Sequence, residues 1–418
     1  MENIAEKKRQ VLKYINSENI INLHQESVRI QSITGSEKDY AEFLLKKINE
    51  IGLDDSGTYD IRPKRPNIWG VLKGNGGGKN LLLVNHTDTV PVVGWEEKWK
   101  NTPQENPFSG EIIDEELWGR GSIDNKAGMT SSLIAMKAIK DAGIKLRGDI
   151  IFSAHVDEEG CSEDSCSWGI KGLAEAYNAE KIPKADFCIW SDCSDGMHIY
   201  FTQLSMVALE INIYGKSAYP GTPWLGVNAI TKAQRVLEYL EKYSEETWIK
   251  KFNKMQGHPR NVAYSIKGGD SNLLSVPDNC SIRYIMWGIM GDEPEDMYKE
   301  VESILQKTAI LEGLDFKITI LYPGNTGYGY SSEGISLNEP MLEILSNNLE
   351  EITGMTNMIA SAPYVGETSW IIKDMKIPAV YFGPGKLELC HTLDERINIE
   401  ELLQHTKVLA LSIIDYCF

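Results

Sequence analysis

The chain has no apolar run long enough to span a bilayer. Its opening residues, Met1-Glu-Asn-Ile-Ala-Glu-Lys-Lys-Arg-Gln10, carry charges where a secretory signal would place an apolar core. Basic residues are in deficit: 42 Lys and Arg stand against 60 Asp and Glu, a formal net charge of −18. That balance argues against nucleic acid and anionic membrane as partners, since both require basic surface. The seven cysteines form an odd set without CxxC or zinc-finger spacing. Neither a disulfide framework nor a structural zinc module is written into them, and a reducing cytoplasm is the expected location. Internal repeats and low-complexity tracts are also missing. The glycine-rich stretch Lys73-Gly74-Asn75-Gly76-Gly77-Gly78 lacks the Gly-Lys-Ser/Thr ending of a phosphate loop and precedes a strand rather than a helix. A flexible hairpin connection is expected there.

What is present is a globular composition, 42% hydrophobic and 24% charged, over 418 residues. That length exceeds one ordinary core, so two domains are expected. Up to about residue 204 the pattern alternates helix and strand. An N-cap signal at Ser36 opens a helix with Tyr40, Phe43, Leu44, Ile48 and Ile51 at helical spacing, and Asn80–Asn85 reads as a buried strand. A helix over 126–142, a strand near 149–156, a helix near 168–179 and a strand near 186–191 follow. The expected fold class is α/β, a mostly parallel sheet flanked by helices. From Ser205 the texture changes to strands at 206–214, 261–267, 280–287 and 316–321, with helices at about 226–243 and 294–312. This predicts a compact α+β domain, 205–322, inserted into a catalytic domain made of 1–204 and 323–418. The α/β pattern then resumes, with a helix at 338–353, a strand at 378–382 and a final helix at 399–416.

Several polar residues fall at the ends of the predicted strands. Glu158-Glu159 follows the 149–156 run and precedes Gly160. Adjacent carboxylates repel unless a cation sits beside them, and a hydrolase can divide their labour: one binds metal while the other takes a proton from water. His86-Thr-Asp88 ends the 80–85 strand, where α/β proteins build their sites. Asp88 is placed to accept the second imidazole N–H, leaving the other nitrogen for a metal. Asp124 lies in the glycine-punctuated turn Gly119-Arg-Gly121-Ser-Ile-Asp124, just before a helix, where its two oxygens can bridge two cations. Asp192 ends the 186–191 strand, and His391 precedes the last helix. Two histidines and three carboxylates make a mixed N/O shell suited to Zn²⁺, with Co²⁺ or Mn²⁺ as alternatives.

In order, the motifs H-x-D-x-V-P, G-R-G-x-x-D-x-K, E-E-G and a late H-T followed by D-E resemble one family. It is the di-zinc peptidase/deacylase family of aminoacylase, acetylornithine deacetylase, succinyl-diaminopimelate desuccinylase, carnosinase-type dipeptidases and glutamate carboxypeptidase. The likeness runs over nearly the whole chain. It implies that His86, Asp124 and Asp192 bind one metal and that Asp124, Glu159 and His391 bind the other. By the same resemblance, Glu158 is the general base, Asp88 orients a ligand, the Asp124–Asn125 peptide is cis, and the inserted domain is a lid and a dimer interface. Substrate contacts are implied for Asn272, Arg283 and Thr368, with Arg283 pairing a substrate carboxylate through its planar fork. One position departs from the pattern: Tyr219 stands where the family usually has a lid histidine. Its hydroxyl can donate a hydrogen bond but carries no positive charge near neutral pH.

The expected activity is zinc-dependent hydrolysis of an amide bond in a small carboxylate-bearing substrate, an N-acyl amino acid first. A dipeptidase or carboxypeptidase of the same family stays open, as does a catalytically silent metal- or ligand-binding relative. A homodimer through the inserted domain is also open.

Overall fold

A computed structural model describes residues 4–160, 167–270 and 273–418. The chain falls into two compact units: Met1–Phe201, Gly334–Ala360 and Trp370–Phe418 form the first, and Thr202–Glu333 with Ser361–Ser369 the second. The border expected at 204/205 lies three residues from the observed 201/202, but the one expected at 322/323 falls eleven residues short of 333/334, and the short return of 361–369 to the second unit had no sequence signal.

The first unit is built on an eight-stranded mixed sheet. Its spatial order is Asp55–Arg62, Arg65–Leu72, Ile150–His155, Leu81–His86, Phe187–Trp190, Ala379–Tyr381, Ile199–Thr202 and Ile359–Ser361. The middle four strands are parallel, with Leu81 opposite both Ile150 and Phe187 and with Ala379 opposite Cys188. Leu81–His86, Ile150–His155 and Phe187–Trp190 are buried at every residue, which is why they read as continuous apolar runs. The helices Lys126–Asp141 and Ile399–Cys417 pack against each other, and most of their residues are buried. Gly128 lets the first of them start hard against the sheet, because a Cβ there would meet the Ser191 carbonyl oxygen at 1.5 Å.

The glycine-rich stretch is not a hairpin. The strands on either side of it, Arg65–Leu72 and Leu81–His86, are separated in the sheet by Ile150–His155. The stretch packs on the lead-in to that intervening strand: Asn75 N and Gly76 N donate to the carbonyls of Leu146 and Arg147, and a Cβ on Gly74 would meet Gly148 O at 2.4 Å. The glycines serve close backbone packing.

The second unit carries a four-stranded antiparallel sheet in the order Arg260–Gly268, Asn279–Gly288, Ser205–Tyr214, Asp315–Ile320. Its separate sheet marks it as an inserted domain. Helices Ala229–Glu246 and Pro294–Glu312 cover one face. Alternation along Asn279–Gly288 sends Cys280, Ile282, Tyr284 and Met286 into this core. Arg283 lies on the opposite face. Among the described residues no helix is long and apolar enough to cross a membrane.

Candidate metal centre

The parallel strands of the first unit point their C-terminal ends to one place, the usual position of α/β sites. His86 is the last residue of its strand, Asp157-Glu158-Glu159 follows Ile150–His155, and Asp192 follows Phe187–Trp190 by two residues. Asp124 arrives in the turn before the Lys126–Asp141 helix, and His391 on the loop after Ala379–Tyr381. The structure brings five of these side chains into two groups that share Asp124. In each group, His86–Asp124–Asp192 and Asp124–Glu159–His391, one ligand atom per residue lies within 4.8 Å of the others.

Asp124 is the hinge of the arrangement. Its Oδ1 lies 2.9 Å from His86 Nε2 and its Oδ2 3.1 Å from His391 Nε2, so one carboxylate faces two imidazoles through different oxygens. Glu159 lies 2.9 Å from His391 Nε2. Burial works against the proton on His391, yet hydrogen bonds to Asp124 and Glu159 outweigh it and hold the pKa up to about 12. His86 is likewise held well above its ordinary value: burial opposes its charge, and the carboxylates of Asp124 and Asp88 prevail. Burial and the Asp124 charge raise the carboxyls of Glu159 and Asp192. The cluster is therefore short of positive charge at its carboxylates. Divalent ions would supply that charge, and the imidazole and carboxylate donors fit zinc, cobalt or manganese.

Asp88 stands beside His86, as expected, and has a second task as well. His86 Nδ1 finds the Asp88 backbone carbonyl at 3.1 Å, while the carboxylate is 3.6 Å away. A proton on Nδ1 directed at that carbonyl leaves Nε2 as the ligand atom. The Asp88 carboxylate also receives the backbone N–H groups of Glu158 and Glu159, each at 3.1 Å, and the Thr34 hydroxyl at 2.9 Å. It holds the glutamate turn.

Two supporting residues were not found by sequence reasoning. Glu395 is fully buried and pairs with Arg120; its oxygens accept N–H groups from Gly121 (3.1 Å), Ile123 (3.0 Å) and Asp124 (3.1 Å). Asn125 accepts His86 N at 3.3 Å and donates to Ser191 O at 2.9 Å, tying the Asp124 turn to two strand ends. Glu395 lies in the D-E that follows His391 in sequence, but its target is 271 positions away. The Asp124–Asn125 peptide is cis.

The remaining candidates lie in the second unit. Arg283 Nε donates to Glu210 at 3.1 Å, its directly opposed cross-strand neighbour. Tyr219 is 73% exposed on the loop after Ser205–Tyr214. Thr368 is buried and its hydroxyl donates to Gln203 Oε1 at 3.1 Å. Asn272 lies outside the described residues.

Histidine and carboxylate side chains gathered at the ends of parallel strands make a candidate metal centre, and the family match makes the chain a metal-dependent amide hydrolase. The chain belongs to peptidase family M20/M25/M40, whose model matches residues 82–415. It is 27% identical over 381 residues to an N-formyl-4-amino-5-aminomethyl-2-methylpyrimidine deformylase of Halalkalibacterium halodurans, covering 86% of this chain and 84% of that protein. It is 25% identical over 401 residues to a succinyl-diaminopimelate desuccinylase of Ehrlichia canis, covering 93% and 96%. A tripeptidase structure from Staphylococcus aureus superposes with a TM-score of 0.76 at 22% identity, covering 96% of this chain and 99% of that one.

Proposed function

We propose that the chain is a cytoplasmic two-zinc deacylase that removes a small acyl group from an amino-acid-like amine. The observation that carries this reading is the shared Asp124, with one oxygen toward His86 and the other toward His391. His86, Asp124 and Asp192 would hold one ion and Asp124, Glu159 and His391 the other. When bound, the ions polarise the scissile carbonyl and lower the pKa of the attacking water. Glu158, on the turn held by Asp88, takes the proton from that water and delivers it to the departing amine nitrogen. Asp88 fixes the backbone from which Glu158 projects, and Glu395 fixes that of Asp124. Arg283 would receive the substrate carboxylate through its terminal nitrogens, since Nε is taken by Glu210. A deformylase and a desuccinylase among the relatives support acyl removal.

One observation favours a second reading, a dipeptidase. Glu210 beside Arg283 sets a carboxylate next to the guanidinium, a pairing suited to a substrate that bears an ammonium as well as a carboxylate. A panel of N-formyl, N-acetyl and N-succinyl amino acids against dipeptides, assayed with the zinc-loaded protein, separates the two. The deacylase reading expects kcat/KM for the best acyl substrate to exceed that of any dipeptide by at least about tenfold, or roughly 1.4 kcal/mol. The reverse order overturns it.

A further inference from the structure

Asp157 precedes the proposed base and has backbone φ of 69°, the left-handed region that a non-glycine residue occupies only when its surroundings hold it there. Its carboxylate is held on both oxygens. Oδ2 accepts the Trp168 N–H at 3.1 Å, and Oδ1 accepts Arg65 Nη2 at 3.1 Å. Arg65 also reaches the other way, donating from Nε to Glu37 Oε2 at 3.0 Å and from Nη2 to Glu37 Oε1. All three residues of this Glu37–Arg65–Asp157 chain are buried.

The chain of contacts closes on itself. Glu37 Oε1 accepts Gly35 N at 2.9 Å, two residues before Glu37, while Thr34 donates to Asp88, whose carboxylate holds Glu158 N and Glu159 N. The Thr34–Glu37 loop therefore grips the Asp157–Glu159 turn through two arms. One runs through Asp88 to the N–H groups, and the other runs through Arg65 to Asp157. A planar guanidinium can bond two carboxylates in fixed directions at once, whereas an ammonium is a point charge on a flexible stem. Two carboxylates around one cation are an expensive arrangement for stability alone, because buried ion pairs seldom outperform apolar packing. A fixed orientation is what the arrangement supplies.

We propose that Arg65 is a positioning residue for Glu158, acting through Asp157 to fix the turn from which the base projects. This rests on Glu158 being the general base. The test uses the full-length metal-loaded protein and four forms besides wild type: Arg65→Ala, Arg65→Lys, Glu158→Gln, and Arg65→Ala combined with Glu158→Gln. Arg65→Ala should lower kcat by about 10- to 100-fold, the effect of loosening a catalytic group's support, and change KM less than about twofold. Metal content should be unchanged, and Arg65→Lys should recover part of the loss. Because Arg65 acts through Glu158, Arg65→Ala should cost nothing further in the Glu158→Gln background. An equal loss in both backgrounds, a loss of metal, or an effect confined to KM overturns the proposal. Should Arg65→Ala fail to fold, Asp157→Asn replaces it in the same cycle. It keeps an oxygen for Trp168 N and removes the charge that Arg65 holds, with the same expected non-additivity. Full activity in Glu158→Gln would sink the functional reading itself, and that outcome is distinct from additivity between the two sites.

Discussion

The strand-end cluster of the first unit and the open sheet face of the second treat charge in opposite ways. Around Asp124 three carboxylates are each shared among several partners: Asp124 serves two imidazoles, Asp88 holds two consecutive N–H groups, and Glu395 holds three. Arg283 and Glu210 form a single pair, with side chains 48% and 29% exposed. Buried charges must be paired and oriented or they cost several kcal/mol each. Exposed pairs are worth about 0–1 kcal/mol and can exchange partners. The first region is built to keep one geometry, and the second can trade its internal partner for a ligand. The proposed division follows that difference, with chemistry assigned to the former and selectivity to the latter.

Substitutions in the buried cluster should cost far more than substitutions in the exposed pair. Glu158→Gln should lower kcat by about 10³-fold, within the range for a general acid–base, with KM little changed. A drop below about tenfold would move the base to another residue. Arg283→Ala should raise KM for carboxylate substrates by about 10- to 100-fold, the worth of a charged hydrogen bond, and leave kcat within about twofold. A loss in kcat instead would place Arg283 in the chemistry. Glu210→Gln should have the smallest effect: it frees Arg283 and should lower KM for purely anionic acyl amino acids about two- to fivefold. If KM for dipeptides rises in the same variant, Glu210 reads the ammonium.

The sequence marked side chains that the fold gathers where a polar residue ends an apolar strand, as at His86, Glu159 and Asp192, because burial on both faces leaves an apolar run before the turn. Supporting contacts were hidden because their partners are distant: Glu37 and Arg65 lie 120 and 92 positions before Asp157, and Glu395 lies 271 after Asp124. The two strands nearest one sheet edge were also hidden. Asp55–Arg62 is nowhere fully buried, and Arg65–Leu72 opens with Arg-Pro-Asn, which reads as a turn. Asp88 illustrates a finer limit. Its spacing from His86 suggested a carboxylate–imidazole pairing, and the structure adds two contacts that spacing does not show: the Asp88 backbone carbonyl lies nearer the ring than the carboxylate does, and the carboxylate also holds the glutamate turn.

The central claim is a two-ion centre bridged by Asp124. Its most direct test is elemental analysis of the full chain purified without chelator, paired with hydrolysis before and after metal removal. Two divalent ions per chain are expected, one for each Asp124-sharing group, with activity lost on chelation and restored by zinc. A protein that hydrolyses its substrate at full rate with one ion or none would contradict it.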